Sequence, residues 1–291
     1  MKNTNQKHQT FFDYLVANRM SLATAKKYNN QAKAFEKWAE HSFLNTKEIN
    51  YSDLLDYINF CRHTCKPHTI NLKIAILKHY FDFCQTPQNP AREMLLKGVT
   101  KLLPKIRFSS EEIDHVYNQL DDYNWIKKRN KIILGLVLYQ GVNSKELAQL
   151  KVENLDLAEG KIYIPKGHKN NSRTVELKAF QLLPMQNYLL KTRPVLLQKS
   201  NKKTDQLLVS TGKGTNLNNV LSRLLKEVKK IEPRVKSFQH LRASVITNWI
   251  KEKGLRQAQY LAGHRYVSST ERYEVQTLED LKNNIDFFHP F

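Results

Sequence analysis

Pro87, Pro90 and Pro104 fall in one stretch with no sustained apolar period, and this break constrains the chain more than any other feature. Each proline fixes its own φ and removes a backbone donor, so no regular element is expected to run through the stretch. Patterned sequence lies on both sides of it. At a prior of about 150 residues per domain, the 291 residues allow two domains, and 41% hydrophobic residues gives each a core to bury. The expected division is a helical domain over 1–86, a linker over 87–107 and a second domain over 108–291.

The first part reads as four helices. Phe11, Tyr14 and Leu15 recur at helical spacing in Thr10 to Ala17. Ser21 offers an N-cap to a longer helix that places Ala32, Phe35 and Trp38 on one face. Ser52 to Arg62 and Thr69 to Cys84 follow, the last with Ile70, Ile74, Leu77, Tyr80 and Phe81 as its stripe. Lys26, Lys27, His68, Asn71 and Lys73 stand at or near helix starts, where free amides favour phosphate.

The second part mixes helices with a small sheet. Ser109-Ser110-Glu111-Glu112 is a helix start, Ile132 to Tyr139 an apolar helical run, and Asn143 with Glu146 forms a capping-box pattern. Lys161 to Pro165 and Arg173 to Leu177 read as two strands joined by a basic hairpin tip, Lys166 to Ser172. Leu207-Leu208-Val209 reads as a third short strand.

Charge points to a polyanion. The chain carries 47 Lys+Arg against 27 Asp+Glu, net +20, and the surplus is spread. Residues 1–106 hold 16 basic and 8 acidic residues, net +8; the rest hold 31 and 19, net +12. Two basic domains suggest a polyanion gripped between them rather than a loose tail tether. No apolar run approaches the ~18 residues of a membrane span, and the N-terminus lacks a secretory core, so an intracellular, cytoplasmic protein without a membrane partner is expected. The three cysteines make a disulfide framework improbable. Cys61, His63, Cys65 and His68 lack a second ligand pair, so no metal site is expected there.

The last sixty residues carry the chemistry. They contain Gln239-His240-Leu241-Arg242-Ala243, then Leu261-Ala262-Gly263-His264, then Tyr273, nine residues after His264. In order and spacing these resemble the closing boxes of the tyrosine recombinase (phage integrase) family. Leu22 to Tyr28, Asn89-Pro90, Phe108 to Ile113 and the lysine hairpin resemble other parts of that family, so the resemblance spans nearly the whole chain. It implies a mainly α protein: a helical, SAM-like core-binding domain followed by an α+β catalytic domain with a small antiparallel sheet.

The resemblance also implies the roles. Tyr273 is the nucleophile that forms a phosphotyrosyl ester while a 5′-hydroxyl leaves, without a cofactor. Arg242 stabilises the non-bridging oxygens, His264 hydrogen-bonds the phosphate, and Lys166, in Pro165-Lys166-Gly167, protonates the leaving oxygen. Lys169 and Arg173 are expected to touch phosphate, and His240 the DNA backbone; Asn71 and Arg223 are either base readers or phosphate contacts.

Two positions depart from the family pattern. Gly141-Val142-Asn143-Ser144-Lys145-Glu146-Leu147 matches its first arginine box, with Asn143 in the arginine's place. A neutral amide cannot replace a bidentate cation, and losing one transition-state donor commonly costs ~2.7–4 kcal/mol. Lys145, Lys128 or Arg129 are the sequence candidates for a substitute. Gln239 takes the place of a histidine and can donate but not titrate.

The expected function is therefore site-specific recombination of double-stranded DNA, as in the integrase of a mobile element. The expected assembly is a homo-tetramer on paired sites and a monomer when free, with Leu278, Leu281, Ile285 and Phe288 forming a tail helix that either exchanges or packs at home. The alternatives are a DNA-binding module that has lost the chemistry, and a type IB topoisomerase-like enzyme.

Overall fold

The computed structural model describes residues 10–46, 48–97, 107–167, 170–212 and 217–274. Two compact units divide the chain, Met1–Leu102 and Leu103–Phe291. Lys169 and the expected tail helix lie outside the described residues.

In the first unit the first three helices start where a side chain caps them, and the fourth starts at a proline. Thr10 caps α1 (Phe11–Ala17) and Ser21 caps α2 (Leu22–His41). Asn50 and Asp53 close a capping box on α3 (Tyr51–Arg62), and Pro67 opens α4 (Pro67–Phe83), where its missing N–H has no helical partner to lose. The apolar stripes meet in one core containing Leu15, Phe35, Leu54, Ile74 and Phe81, and Cys61 is buried there as an ordinary thiol. Part of the expected linker belongs to this unit. Ala91 and Met94 are buried in the same core, and the Asn71 amide bonds both the N–H and the C=O of Leu96, at 2.9 and 3.0 Å.

The second unit is built around α6 (Trp125–Leu138), whose apolar residues are buried nearly all round. Ser109 and Glu112 cap α5 (Ser110–Asn118); Asn143 and Glu146 cap α7 (Ser144–Gln149). Three antiparallel strands follow in spatial order β1 (Leu155–Asp156), β2 (Lys161–Ile164) and β3 (Arg173–Glu176). The third strand is thus Leu155–Asp156, not Leu207 to Val209. The latter residues are buried but bare of a ladder, held by the Leu207 N–H to Leu150 O at 2.8 Å and one bridge, Lys151 to Gln206.

Helices α8 (Ala179–Asn187) and α9 (Arg193–Ser200) run through a wide π turn, Tyr188–Thr192, and α10 (Asn218–Ile231) adds an amphipathic face. The last long element, α11 (Phe238–Ala262), is two helices joined at Gly254, whose φ of 78° and ψ of 166° break the spiral. Gly263 ends it in the left-handed region, and residues 268–274 form a closing helical turn. Among the described residues no helix is long and apolar enough to cross a membrane.

Candidate active site

Glu146 is the centre of the site. Asn143 ends its own segment as an N-cap, its Oδ1 accepting from the N–H groups of Lys145 and Glu146 at 2.9 and 3.0 Å, while the Glu146 carboxylate accepts from the Asn143 N–H at 2.9 Å. This reciprocal capping fixes the carboxylate at the start of α7. It then accepts four hydrogen bonds in all: the Asn143 amide, Asn170 Nδ2 at 2.8 Å, and both terminal nitrogens of Arg173 at 2.8 and 3.0 Å.

Arg173 reaches this point because β3 alternates. Arg173 and Val175 face inward while Thr174 and Glu176 face outward, and Arg173 pairs across the ladder with buried Ile164. Its side chain is 0% exposed and that of Glu146 3%. Arg173, expected to touch phosphate, is thus turned into the protein by the period-2 strand rather than out to solvent. A bidentate, fully buried pair of this kind is strongly directional.

Arg242 approaches the same carboxylate from α11. Its Nη2 donates to Ala262 O at 2.5 Å, across the Gly254 break, and its Nη1 lies 3.5 Å from Glu146 Oε2, an ion pair without hydrogen-bond geometry. Arg242 Nη1 and Arg173 Nε are both buried donors with no hydrogen-bond acceptor. Burial favours the neutral Glu146 carboxyl, but the hydrogen bonds and charge of Arg173, with the charge of Arg242 and the Asn143 amide, outweigh it and hold the pKa at about 2. One carboxylate thus stands against two guanidinium groups, leaving a surplus of one buried positive charge.

The hairpin closes over this cluster. The Asn171 N–H donates to Gly263 O at 2.9 Å, and Asn170 bridges His264. Gly263 has φ of 68°, and a Cβ there would collide with the Arg173 guanidinium, so both backbone shape and space demand glycine. His264 follows, its Nδ1 2.8 Å from Thr270 Oγ1. Burial first, then the charges of Arg242 and Arg173, lower the His264 pKa to about 4 against the pull of Glu146, so the ring is neutral at neutral pH.

Tyr273 completes the group. Its ring stacks on His264 with centroids 5.9 Å apart and planes 16° apart, and it packs with Ala243, Ile246 and Ala262. Burial raises its pKa, partly offset by the charges of Arg242, Arg107 and Arg272. Tyr273, Arg242, His264 and Asn143 are therefore brought to one place, with Glu146, Asn170, Thr270 and Arg173 among them.

Other expected residues fall elsewhere. Lys166 is exposed on the docked hairpin and Gln239 is exposed near the start of α11. His240, expected at the DNA backbone, is 0% exposed: it packs on Phe108 at 5.0 Å and its Nδ1 accepts from the Lys236 N–H. The Asn71 amide is half-buried and hydrogen-bonded to the backbone of Leu96. Lys73 lies over the Tyr57 ring, its Nζ 5.5 Å from the ring centre. Lys26, Lys27 and Arg223 are exposed on α2 and α10. Of the sequence candidates for a substitute cation, Lys145 and Lys128 are exposed, and Arg129 is buried apart, donating to Val209 O and Asn130 Oδ1.

Residues 107–279 match the phage integrase family and residues 9–86 match the phage integrase N-terminal SAM-like domain. Among curated proteins, the chain is 25% identical to the tyrosine recombinase XerC of Oceanobacillus iheyensis over 97% of this chain and 95% of that one. It is 27% identical to XerC of Staphylococcus carnosus over 98% of both. Among solved structures it resembles the XerH site-specific recombinase bound to palindromic difH substrate (TM-score 0.73, 18% identity, 94% of this chain and 82% of that one). It also resembles the Tn1549 transposon integrase in complex with circular intermediate DNA (TM-score 0.65, 15% identity, 90% and 93%). The phage integrase match covers more than half of the chain, and with the SAM-like match to the helices of the first unit it places the chain in the phage integrase family.

Proposed function

We propose that the chain is a site-specific recombinase that breaks and rejoins double-stranded DNA through Tyr273. The observation that carries this is the placement of the Tyr273 ring against His264 and beside Arg242, in a buried centre with surplus positive charge. A phosphodiester entering that centre meets a nucleophile and cations together.

In the proposed step Tyr273 Oη attacks phosphorus, a bond forms to the 3′-phosphate, and the bond to the 5′-oxygen breaks. Lys166 gives a proton to the departing oxygen and is recharged, through solvent, by the proton that the tyrosine loses. The hairpin that bears Lys166 is tied to Gly263 and His264, which supports that role. Arg242 holds the non-bridging oxygens, and neutral His264 adds a hydrogen bond rather than charge. Gln239 is assigned a hydrogen bond to a phosphate oxygen in the site, and exposed Lys26, Lys27 and Arg223, with Lys169, contacts along the DNA. The assembly proposed is a homo-tetramer on paired sites and a monomer when free, in the cytoplasm and without a cofactor.

The test uses a pool of nicked duplexes randomised across their centre. Complexes that survive denaturation are recovered and sequenced. Wild type is expected to yield covalent complexes with a shared sequence, and Tyr273→Phe none, with DNA binding kept. Tight binding without any covalent complex supports the second reading, a DNA-binding protein that has lost the chemistry, which Asn143 at the arginine position favours.

A further inference from the structure

Two guanidinium groups and one carboxylate occur together in the buried centre, yet the residue at the family's first arginine position is an asparagine whose side chain is spent on capping α7. None of the cations nearest to it in sequence reaches the centre. Arg173 does, from a different element, β3.

We propose that Arg173 supplies the second phosphate-binding guanidinium of the active site, taking from β3 the work that an arginine at position 143 would do from α7. The inference rests on the recombinase reading for its substrate, a phosphodiester, but not for its geometry.

Three observations carry it. First, the end-on pairing of Arg173 with Glu146 uses one hydrogen on each terminal nitrogen, leaving Nε and the outer hydrogens unspent; Nε is buried and has no acceptor. Second, Arg242 keeps a buried donor of its own, Nη1, within an ion-pair distance of the same carboxylate. Two orphan donors on neighbouring buried cations are costly unless an anion arrives to take them. Third, the charge sum is +1: Glu146, held well below the usual carboxylate range, cancels one guanidinium and not the other, and His264 is neutral. A purely structural strut would need one arginine for one carboxylate. The non-bridging oxygens of a phosphodiester match the remaining donors and charge.

Glu146 is then a positioning residue. It fixes Arg173 by its two terminal nitrogens and Arg242 by charge. Gly263 leaves the room in which the Arg173 guanidinium lies.

The test separates guanidinium donors from net charge. The double variant Arg173→Met/Glu146→Gln removes one positive and one negative charge, so the sum in the centre stays +1, carried by Arg242, which loses its carboxylate and keeps its hydrogen bond to Ala262 O. Inorganic phosphate is the probe, titrated calorimetrically into the full chain at fixed ionic strength, with chloride as the control anion. Wild type is expected to bind phosphate; the double variant, folded by circular dichroism, is expected to bind it about tenfold more weakly or less, the worth of at least one charge-assisted hydrogen bond. Arg173→Lys, which keeps charge but not the fork, is expected to fall between, and it decides the matter if the double variant does not fold. Equal binding by wild type and either variant overturns the proposal, as does wild type that takes no more phosphate than chloride.

A second arm uses the duplex recovered by covalent selection. Replacing its scissile phosphate with a neutral methylphosphonate should narrow the variant's deficit in covalent complex formation, because less charge then needs a partner. An unchanged deficit overturns the proposal. Failure of Tyr273 to form any covalent complex leaves the phosphate titration standing, so the two readings fail separately.

Discussion

At the scale of single residues, the site is set by how one carboxylate and one imidazole are charged. His264 has its pKa lowered from 6.5 to about 4, so between those values the unfolded chain binds the proton that the folded chain refuses. Stability from this group is therefore complete above about pH 6.5 and lost as pH falls toward 4, by up to ~3 kcal/mol. Glu146 adds a second, more acidic loss, from its ordinary value down to about 2. Chemical denaturation of wild type and His264→Gln should show the slope between pH 6.5 and 4 flattened in the variant; equal slopes would remove His264 as its source. Asn143→Arg should gain no covalent activity and lose stability, since it adds a third cation to one carboxylate and sacrifices a cap worth ~1 kcal/mol. A hundredfold gain in covalent complex formation would mean that the arginine's work is undone in the native chain. Tyr273, Arg242, His264 and the Asn143 to Glu146 cap were legible in the sequence because their spacing or capping pattern is local. Glu146 as a hub for Asn170 and Arg173 was not, because those contacts join residues 24 and 27 apart in the chain, and the bond of Thr270 to His264 closes a turn after Gly263 that carries no period. The inward turn of Arg173 had a signal, the alternation Arg173, Val175, Leu177, which its basic side chain concealed.

At the scale of elements, the site depends on how α11 breaks and how the hairpin docks. The first half of α11 carries Arg242, and the second half ends at the Ala262 carbonyl that accepts from it. Gly254 sets the angle between them with φ of 78° and ψ of 166°, a region essentially open only to glycine. Gly254→Ala should therefore cost ~1–3 kcal/mol and uncouple Arg242 from Ala262. The expected readings are a lower melting temperature and a fall in covalent complex formation larger than the fall in DNA affinity; a variant equal to wild type in both would show the break to be incidental. Helix starts followed the sequence closely, because Ser21, Ser109 and Asn143 cap through contacts within three residues. The third strand did not. Leu207 to Val209 has strand composition but serves as buried filling, whereas the two-residue strand Leu155–Asp156 is too short to leave a period and forms only because β2 offers it an edge.

At the scale of the whole molecule, +20 net charge is divided between two basic parts, and only a few of those cations converge on the catalytic centre. The remainder should act as a long-range, salt-sensitive term. Affinity for duplex DNA should fall linearly with salt on logarithmic axes, with a slope of about −0.9 per phosphate neutralised. The double variant Lys26→Ala/Lys27→Ala should shallow that slope, whereas the charge-balanced Arg173→Met/Glu146→Gln should leave it unchanged; the reverse pattern would place the grip on the DNA elsewhere. All of this serves one bond. The most direct measurement is therefore the site of covalent attachment: trap the complex on a nicked duplex, trim the DNA with nuclease, digest the protein, and find by mass spectrometry which peptide bears a nucleotide. The account gives one answer, a nucleotide on Tyr273 linked through a 3′-phosphate. Attachment at any other residue, or DNA bound tightly with no nucleotide on the protein at all, would contradict it.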